Sequence, residues 1–180
     1  TLSGRSSGSG GTGSTYNIGG NNSSTTFNGR IVNGSDVTSI HKTGNGVLRL
    51  AGTKSYTGIT TVTAGTLLVN GDATAATGAV TVGDNGRLGG TGTIGGATTI
   101  SGRLLPGDGL GTLTFAQALT LNASAFSQFE ISKSPFGHDQ VVVAGTLTYG
   151  GTLDVVNTSV ELLEAGDNFP LFNAATYQGE

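Results

Sequence analysis

Residues 44–71 read GNGVLRLAGTKSYTGITTVTAGTLLVNG, and this stretch decides the fold. It holds three short runs with period-two alternation, Val47 to Leu50, Ile59 to Thr63 and Thr66 to Val69, each opened by a glycine or a small-residue turn. None is long enough for a stable helix, and the crowding of Val, Ile and Thr suits a pleated strand. Alternation places Leu48, Leu50, Thr60, Val62, Leu67 and Val69 on one face and Arg49, Thr61, Thr66 and Leu68 on the other. Tyr56 and Tyr149 read as outward, as do the threonines of the later runs 79–82, 98–100, 112–115 and 119–121. A unit of this size cannot bury its apolar face alone, and stacking the next unit on it supplies the missing core.

Further units follow. Gly-x-Leu recurs at Gly46, Gly65, Gly86 and Gly102, at intervals of 19, 21 and 16 residues, and again at Gly111, Gly145 and Gly151. A loose period of about twenty residues is that of a solenoid whose corners tolerate insertion. The expected fold is all-β: a right-handed parallel β-helix (β-solenoid), a single rod with an irregular N-terminal segment. Roughly nine coils at about 4.8 Å each give a rod about 40 Å long.

Residues 44–71 closely resemble the passenger-associated transport repeat, also called the autotransporter-associated β-strand repeat. Its pattern runs G-x-G-x-L-x-L-x-G-x-N-x-Y-x-G-x-T-x-V-x-x-G-x-L-x-V-x-G, and Gly44, Gly46, Leu48, Leu50, Gly52, Tyr56, Gly58, Thr60, Val62, Gly65, Leu67, Val69 and Gly71 occupy its positions. Lys54 stands where the pattern has asparagine. GGTGTIGG at 89–96, LLPGDGLGTLTF at 104–115 and HDQVVVAGTLTYGGTLDVV at 138–156 resemble the stretches that trail this repeat. The resemblance implies a secreted β-helix, extracellular or at the bacterial cell surface, and implies no reaction.

Composition points the same way. The 180 residues suffice for one linear core, and with 33 glycines and only 11% charged residues there is little to build helices from. The absence of Cys and Met removes disulfides, metal thiolates and the most oxidisable side chains, which suits an extracellular surface. A net charge of −3 argues against nucleic acid and anionic membranes as partners, and no apolar run reaches membrane-spanning length. Thr1 follows no leader pattern, so a processed or excised part of a longer chain is expected. Residues 1–43 form a Gly/Ser/Asn-rich segment in which 15–43 reads as an irregular capping coil, and residues 44–180 form the β-helix.

The C-terminal part is richer in rings, with Phe126, Phe129, Phe136, Tyr149, Phe169, Phe172 and Tyr177, as expected where a core widens or ends. Glu161 to Gly166 is a candidate helical turn that could cap the stack.

Candidate chemistry is sparse. Gly90-Thr-Gly92-Thr-Ile-Gly95 satisfies G-x-G-x-x-G, but a threonine strand rather than a helix follows, so it reads as a corner. Asp84 and Asp108 lie in glycine-rich loops without the nonapeptide spacing of calcium-binding β-rolls, and Asp serves turns as readily. A β-helix lyase or hydrolase needs paired carboxylates on one face. Asp139 and Asp154 are the best pair, with Glu130 and His138 nearby, yet outward carboxylates also simply keep a strand solvated. With only His41 and His138, no histidine metal cluster can form.

The reading is therefore a non-catalytic extracellular structural protein, a subunit of a self-assembling surface or matrix fibre or an adhesin, with no catalytic, cofactor-binding or metal residues. Its expected partner is itself, in a head-to-tail homopolymer, with a surface polysaccharide as a second. Polymer contacts are expected from Leu2, Tyr16 and Ile18 at one end and Phe169, Phe172 and Tyr177 at the other, because a β-helix has an open edge at each end. The alternatives are a passive stalk of an autotransporter passenger and a carbohydrate-binding or carbohydrate-cleaving β-helix.

Overall fold

The computed structural model describes residues 13–179 with their side chains and Leu2–Ser3 as backbone. Parallel pairing from coil to coil sorts the strands into three columns. The first runs through Ser14–Ile18, Thr38–Lys42, the first halves of Thr60–Val69 and Val80–Gly90, Thr98–Ile100, Leu119–Leu121 and the end of Gln140–Thr148. The second holds Thr25–Phe27, Val47–Leu50, the second halves of the two long strands, Arg103–Pro106, Phe126–Ser132 and Thr152–Asn157. The third begins with Leu2–Ser3, Ile31–Val32 and Lys54–Ser55. It is taken up by Asp72–Ala73, Thr93–Ile94, Thr112–Phe115 and the starts of Gln140–Thr148 and Phe172–Gln178. The chain visits the columns in turn, which makes it a parallel β-helix. Among the described residues there is no helix.

The recurring Gly-x-Leu is what sets the register. Leu48, Leu67, Leu88 and Leu104 pair directly in successive coils, and each is at most 2% exposed. Burying one leucine stabilises by about 1.5–3 kcal/mol, so this ladder is a main source of stability. The glycine is required by the tight corner. Gly65 has φ +67°, and a Cβ there would lie 2.3 Å from the Gly44 carbonyl oxygen in the coil below. The faces assigned from alternation hold: Leu48, Leu50, Thr60, Val62, Leu67 and Val69 are all buried.

Several side chains depart from expectation. Tyr56 points inward, 5% exposed, and its hydroxyl meets Thr60 Oγ1 at 2.5 Å, which satisfies both buried groups. Thr98 is also inward and donates to the Gly96 carbonyl at 3.1 Å. Leu68 is outward in register but only 7% exposed, because the loop after Arg103–Pro106 covers it. Tyr149 is partly buried against the core. Glu161 to Gly166 forms no helical turn: Gly166 takes φ +105°, and Lys133 Nζ ties the loop down through Glu164 and Asp167 at 2.8 and 3.3 Å.

Two lysines are the largest surprise, since Lys42 and Lys54 are each 1% exposed. Lys42 Nζ donates to the carbonyls of Thr43, Gly44 and Ala64 at 2.5, 2.7 and 3.2 Å. Lys54 Nζ donates to those of Gly29 and Gly52 at 3.2 and 3.0 Å and to that of Ala51. Each ammonium thus collects corner carbonyls from two coils, and burial pushes both lysines below the usual lysine pKa.

Within the N-terminal segment, Ser14–Ile18, Thr25–Phe27 and Thr38–Lys42 stack in the same columns as the rest. Leu2–Ser3 pairs with Ile31–Val32 of its own chain. The readings made for residues 4–12 and for the Leu2 side chain lie outside the described residues.

Candidate functional site

Three regions hold the residues singled out from sequence: a lateral strap, an aromatic excursion, and the ends of the stack. The strap is Pro106 to Gly111, which leaves the second column and folds back over coils already built. Gly107 forms an antiparallel bridge with Gly90, N–H to carbonyl in both directions at 2.8 and 2.9 Å. At the tip, Asp108 accepts from Arg49 Nε and Nη2 at 3.0 and 3.2 Å and from Asn70 Nδ2 at 3.0 Å. These donors hold the Asp108 carboxyl below its ordinary pKa, the Arg49 hydrogen bond contributing most.

Asp139 anchors the foot of the strap. It is 2% exposed, not outward as expected, and accepts the Gly111 and Glu130 N–H groups at 2.9 and 2.8 Å. Burial pushes its carboxyl up to about 6, with the Glu130 charge adding to the effect and the two N–H donors opposing it. Asp154 is engaged elsewhere, accepting from Gln128 Nε2 at 2.8 Å. The proposed Asp139/Asp154 pair is therefore divided between a buried anchor and a surface ladder. A small lateral cavity of about 170 Å³ lies between the strap and Gln128, Glu130 and Asp139.

His138 sits in the aromatic excursion, where Phe136 and Phe169 stack at 5.2 Å and its own ring meets both edge-on. His41 bridges coils instead, between Asn17 Oδ1 at 3.0 Å and Thr63 Oγ1 at 3.1 Å. Among the described residues no three His, Asp or Glu side chains group as metal ligands. The G-x-G-x-x-G stretch is a corner in which Gly90 carries the strap bridge and Thr93–Ile94 is a strand. Beneath Tyr56 the interior leaves about 20 Å³, room for a water and for no substrate.

The ends differ. Tyr16 and Ile18 lie in Ser14–Ile18, opposite Ile40 and Lys42, and are partly buried. At the other end Phe172 packs edge-on against Phe129 and Tyr149 at 4.8 and 5.4 Å, and Tyr177 stacks on Tyr149 at 5.8 Å. Phe169, by contrast, is on the lateral excursion, away from the Phe172 and Tyr177 cluster. Sequence reading missed the most telling residues here: Leu153 and Val155 continue the inward ladders of Ser127 and Phe129 yet are 52% and 44% exposed. Ser127 Oγ is buried with no partner, lining a groove of about 360 Å³ with Tyr149, Leu153 and Phe172. Alternation marks Leu153 and Val155 as inward, but only the coil above decides whether inward means buried.

Glycine-cornered strands stacked in parallel columns define the class as a repeat β-helix. Residues 40–69 match the family model of the Passenger-associated-transport-repeat, so the chain carries this repeat. It is 39% identical over 153 residues to the Adhesin BmaC autotransporter of Brucella suis biovar 1 (strain 1330). That match covers 79% of this chain and 4% of the relative, so the chain spans a small part of the protein it resembles.

Proposed function

We propose that the chain is a non-catalytic segment of a surface-exposed or secreted autotransporter passenger, an adhesive rod that lengthens by coil-on-coil stacking. The likeness to an autotransporter adhesin supports the location and the adhesive role. The carrying observation for stacking is the open C-terminal end, where inward Leu153 and Val155 stay 52% and 44% exposed beside the unpartnered Ser127 hydroxyl. A further parallel coil would bury both side chains and satisfy the free strand edge. In the fibre reading that coil comes from a second copy, head to tail, with Tyr16 and Ile18 meeting Phe172 and Tyr177 across the joint. In the stalk reading it comes from the same longer polypeptide, and the chain's 4% share of its relative favours this second reading. Neither requires nucleic acid, membrane insertion or a cofactor.

Leu153→Lys combined with Val155→Lys separates these readings. In the fibre reading, light scattering and negative-stain microscopy of the parent chain find filaments that the double variant abolishes without loss of β circular dichroism. A parent chain that remains monomeric at high concentration rules the fibre out and leaves the stalk. Filaments that survive the double lysine place the joint elsewhere.

A further inference from the structure

Arg87 and Arg103 stand directly opposite one another in neighbouring coils of the second column, outward and exposed. Phe126 follows in the same column opposite Arg103, whose guanidinium lies 4.8 Å from the ring centre. Like charges in direct cross-strand register repel, so a partner that neutralises them has something to gain. Among the described residues no acid does so: the ion pairs are Arg49 with Asp108 and Lys133 with Glu164 and Asp167. Nor is the basic column a consequence of overall charge, which is −3. At the corner beside Arg103, the residues Asp84, Ser101, Ser124 and Phe126 border a surface cavity of about 240 Å³.

We propose that Arg87, Arg103 and Phe126 form a binding site for a linear acidic polysaccharide. Adjacent strands repeat at about 4.8 Å, so the two guanidiniums form a cationic ladder of fixed pitch that a polymer with recurring acid groups can follow. Each planar fork takes a carboxylate or sulfate through two parallel N–H bonds. The Phe126 ring offers an apolar face to the sugar C–H groups, and the Asp84 carboxylate with the Ser101 and Ser124 hydroxyls takes sugar hydroxyls at the corner. Asp84 borders the same cavity as Arg103 but stands at the corner, outside the arginine column, and is in none of the three ion pairs. This rests on the reading of the chain as a surface rod and names its partner. Binding is measured on the purified chain whatever its assembly, so a failure here leaves the stacking result standing, and the reverse holds too.

The purified chain is tested on immobilised polygalacturonate, chondroitin sulfate, single-stranded DNA and neutral dextran at low salt, and the bound fraction is titrated with sodium chloride. Retention on an acidic polymer and not on dextran is expected, with the polygalacturonate and chondroitin sulfate arms telling a carboxylate ligand from a sulfated one. Arg87→Gln with Arg103→Gln weakens binding by about tenfold or more and flattens its salt dependence. The corresponding double lysine variant keeps the charge but loses the fork and falls between. Arg30→Gln, exposed and outside the column, changes nothing, and circular dichroism is unaltered throughout. No retention on either acidic polymer, equal retention of the double glutamine variant, or stronger retention on single-stranded DNA overturns the proposal.

Discussion

Asp108 accepts a hydrogen bond from Arg49 Nε at 3.0 Å across 59 residues and three coils of the stack. The contact belongs to a strap that runs against the direction of winding, and Asn70 adds a third grip midway. Coils in a solenoid otherwise touch only their immediate neighbours, so the strap couples units that the repeat alone would leave independent. The side chains of the pair are 39% and 31% exposed, so solvent screening keeps its own contribution to global stability small. Its effect is local, keeping Leu68 covered.

Asp108→Asn should therefore leave the thermal midpoint nearly unchanged while opening the strap. Amide exchange at Gly107 and Gly111 should quicken, and limited proteolysis should cut within 106–111. Unchanged protection at both amides would show that the Gly90 bridge alone holds the strap. Acid should act similarly: the Asp108 carboxyl lies below its ordinary value, so its contribution is present above about pH 4 and is lost as pH falls through the lower folded value.

Asp139 has the opposite sign. Its folded pKa of about 6 lies above the unfolded value near 3.8, so the folded state binds the extra proton between the two. That contribution is complete below about pH 4 and is lost as pH rises through 6. Asp139→Asn should flatten the stability curve between pH 4 and 6 in urea titrations at several pH values. It should also cost about 1–3 kcal/mol, because an amide nitrogen replaces one acceptor of the Gly111 and Glu130 N–H groups. A curve of unaltered slope in that window would assign the pH dependence to another group.

The buried lysines give a third test. Lys42→Met and Lys54→Met keep the volume but leave corner carbonyls without donors, and each should cost about 2–4 kcal/mol by chemical denaturation. Arg49→Gln, on the solvent face, should cost clearly less than either lysine change. A stabilising Lys→Met change would mean that desolvation of the ammonium outweighs the hydrogen bonds it makes.

Leu67→Asp should abolish cooperative folding, because Leu67 is 1% exposed in the middle of the leucine ladder and a carboxylate has no partner there. Thr66→Asp, one residue away on the outer face, should be tolerated. Circular dichroism of the two variants checks the register directly, and equal damage from both would refute it.

The strands, most of their inner faces and the stacking period were legible in the chain alone. These are local properties: alternation selects the buried face of each strand, and a glycine two residues before each leucine fixes where the chain turns. Leu48, Leu67, Leu88 and Leu104 were legible for that reason. The rest was set by contacts with the neighbouring coil. Lys42 and Lys54 are polar by type, yet three corner carbonyls apiece make the interior acceptable to them. Tyr56 turns inward because Thr60 offers its hydroxyl a partner, and Asp139 is buried because two backbone N–H groups converge on it. Leu153 and Val155 lie on inward ladders and are exposed, since burial requires a coil above. Arg87 and Arg103 are 16 residues apart in the chain, and only the corner lengths between them bring the two charges into one column.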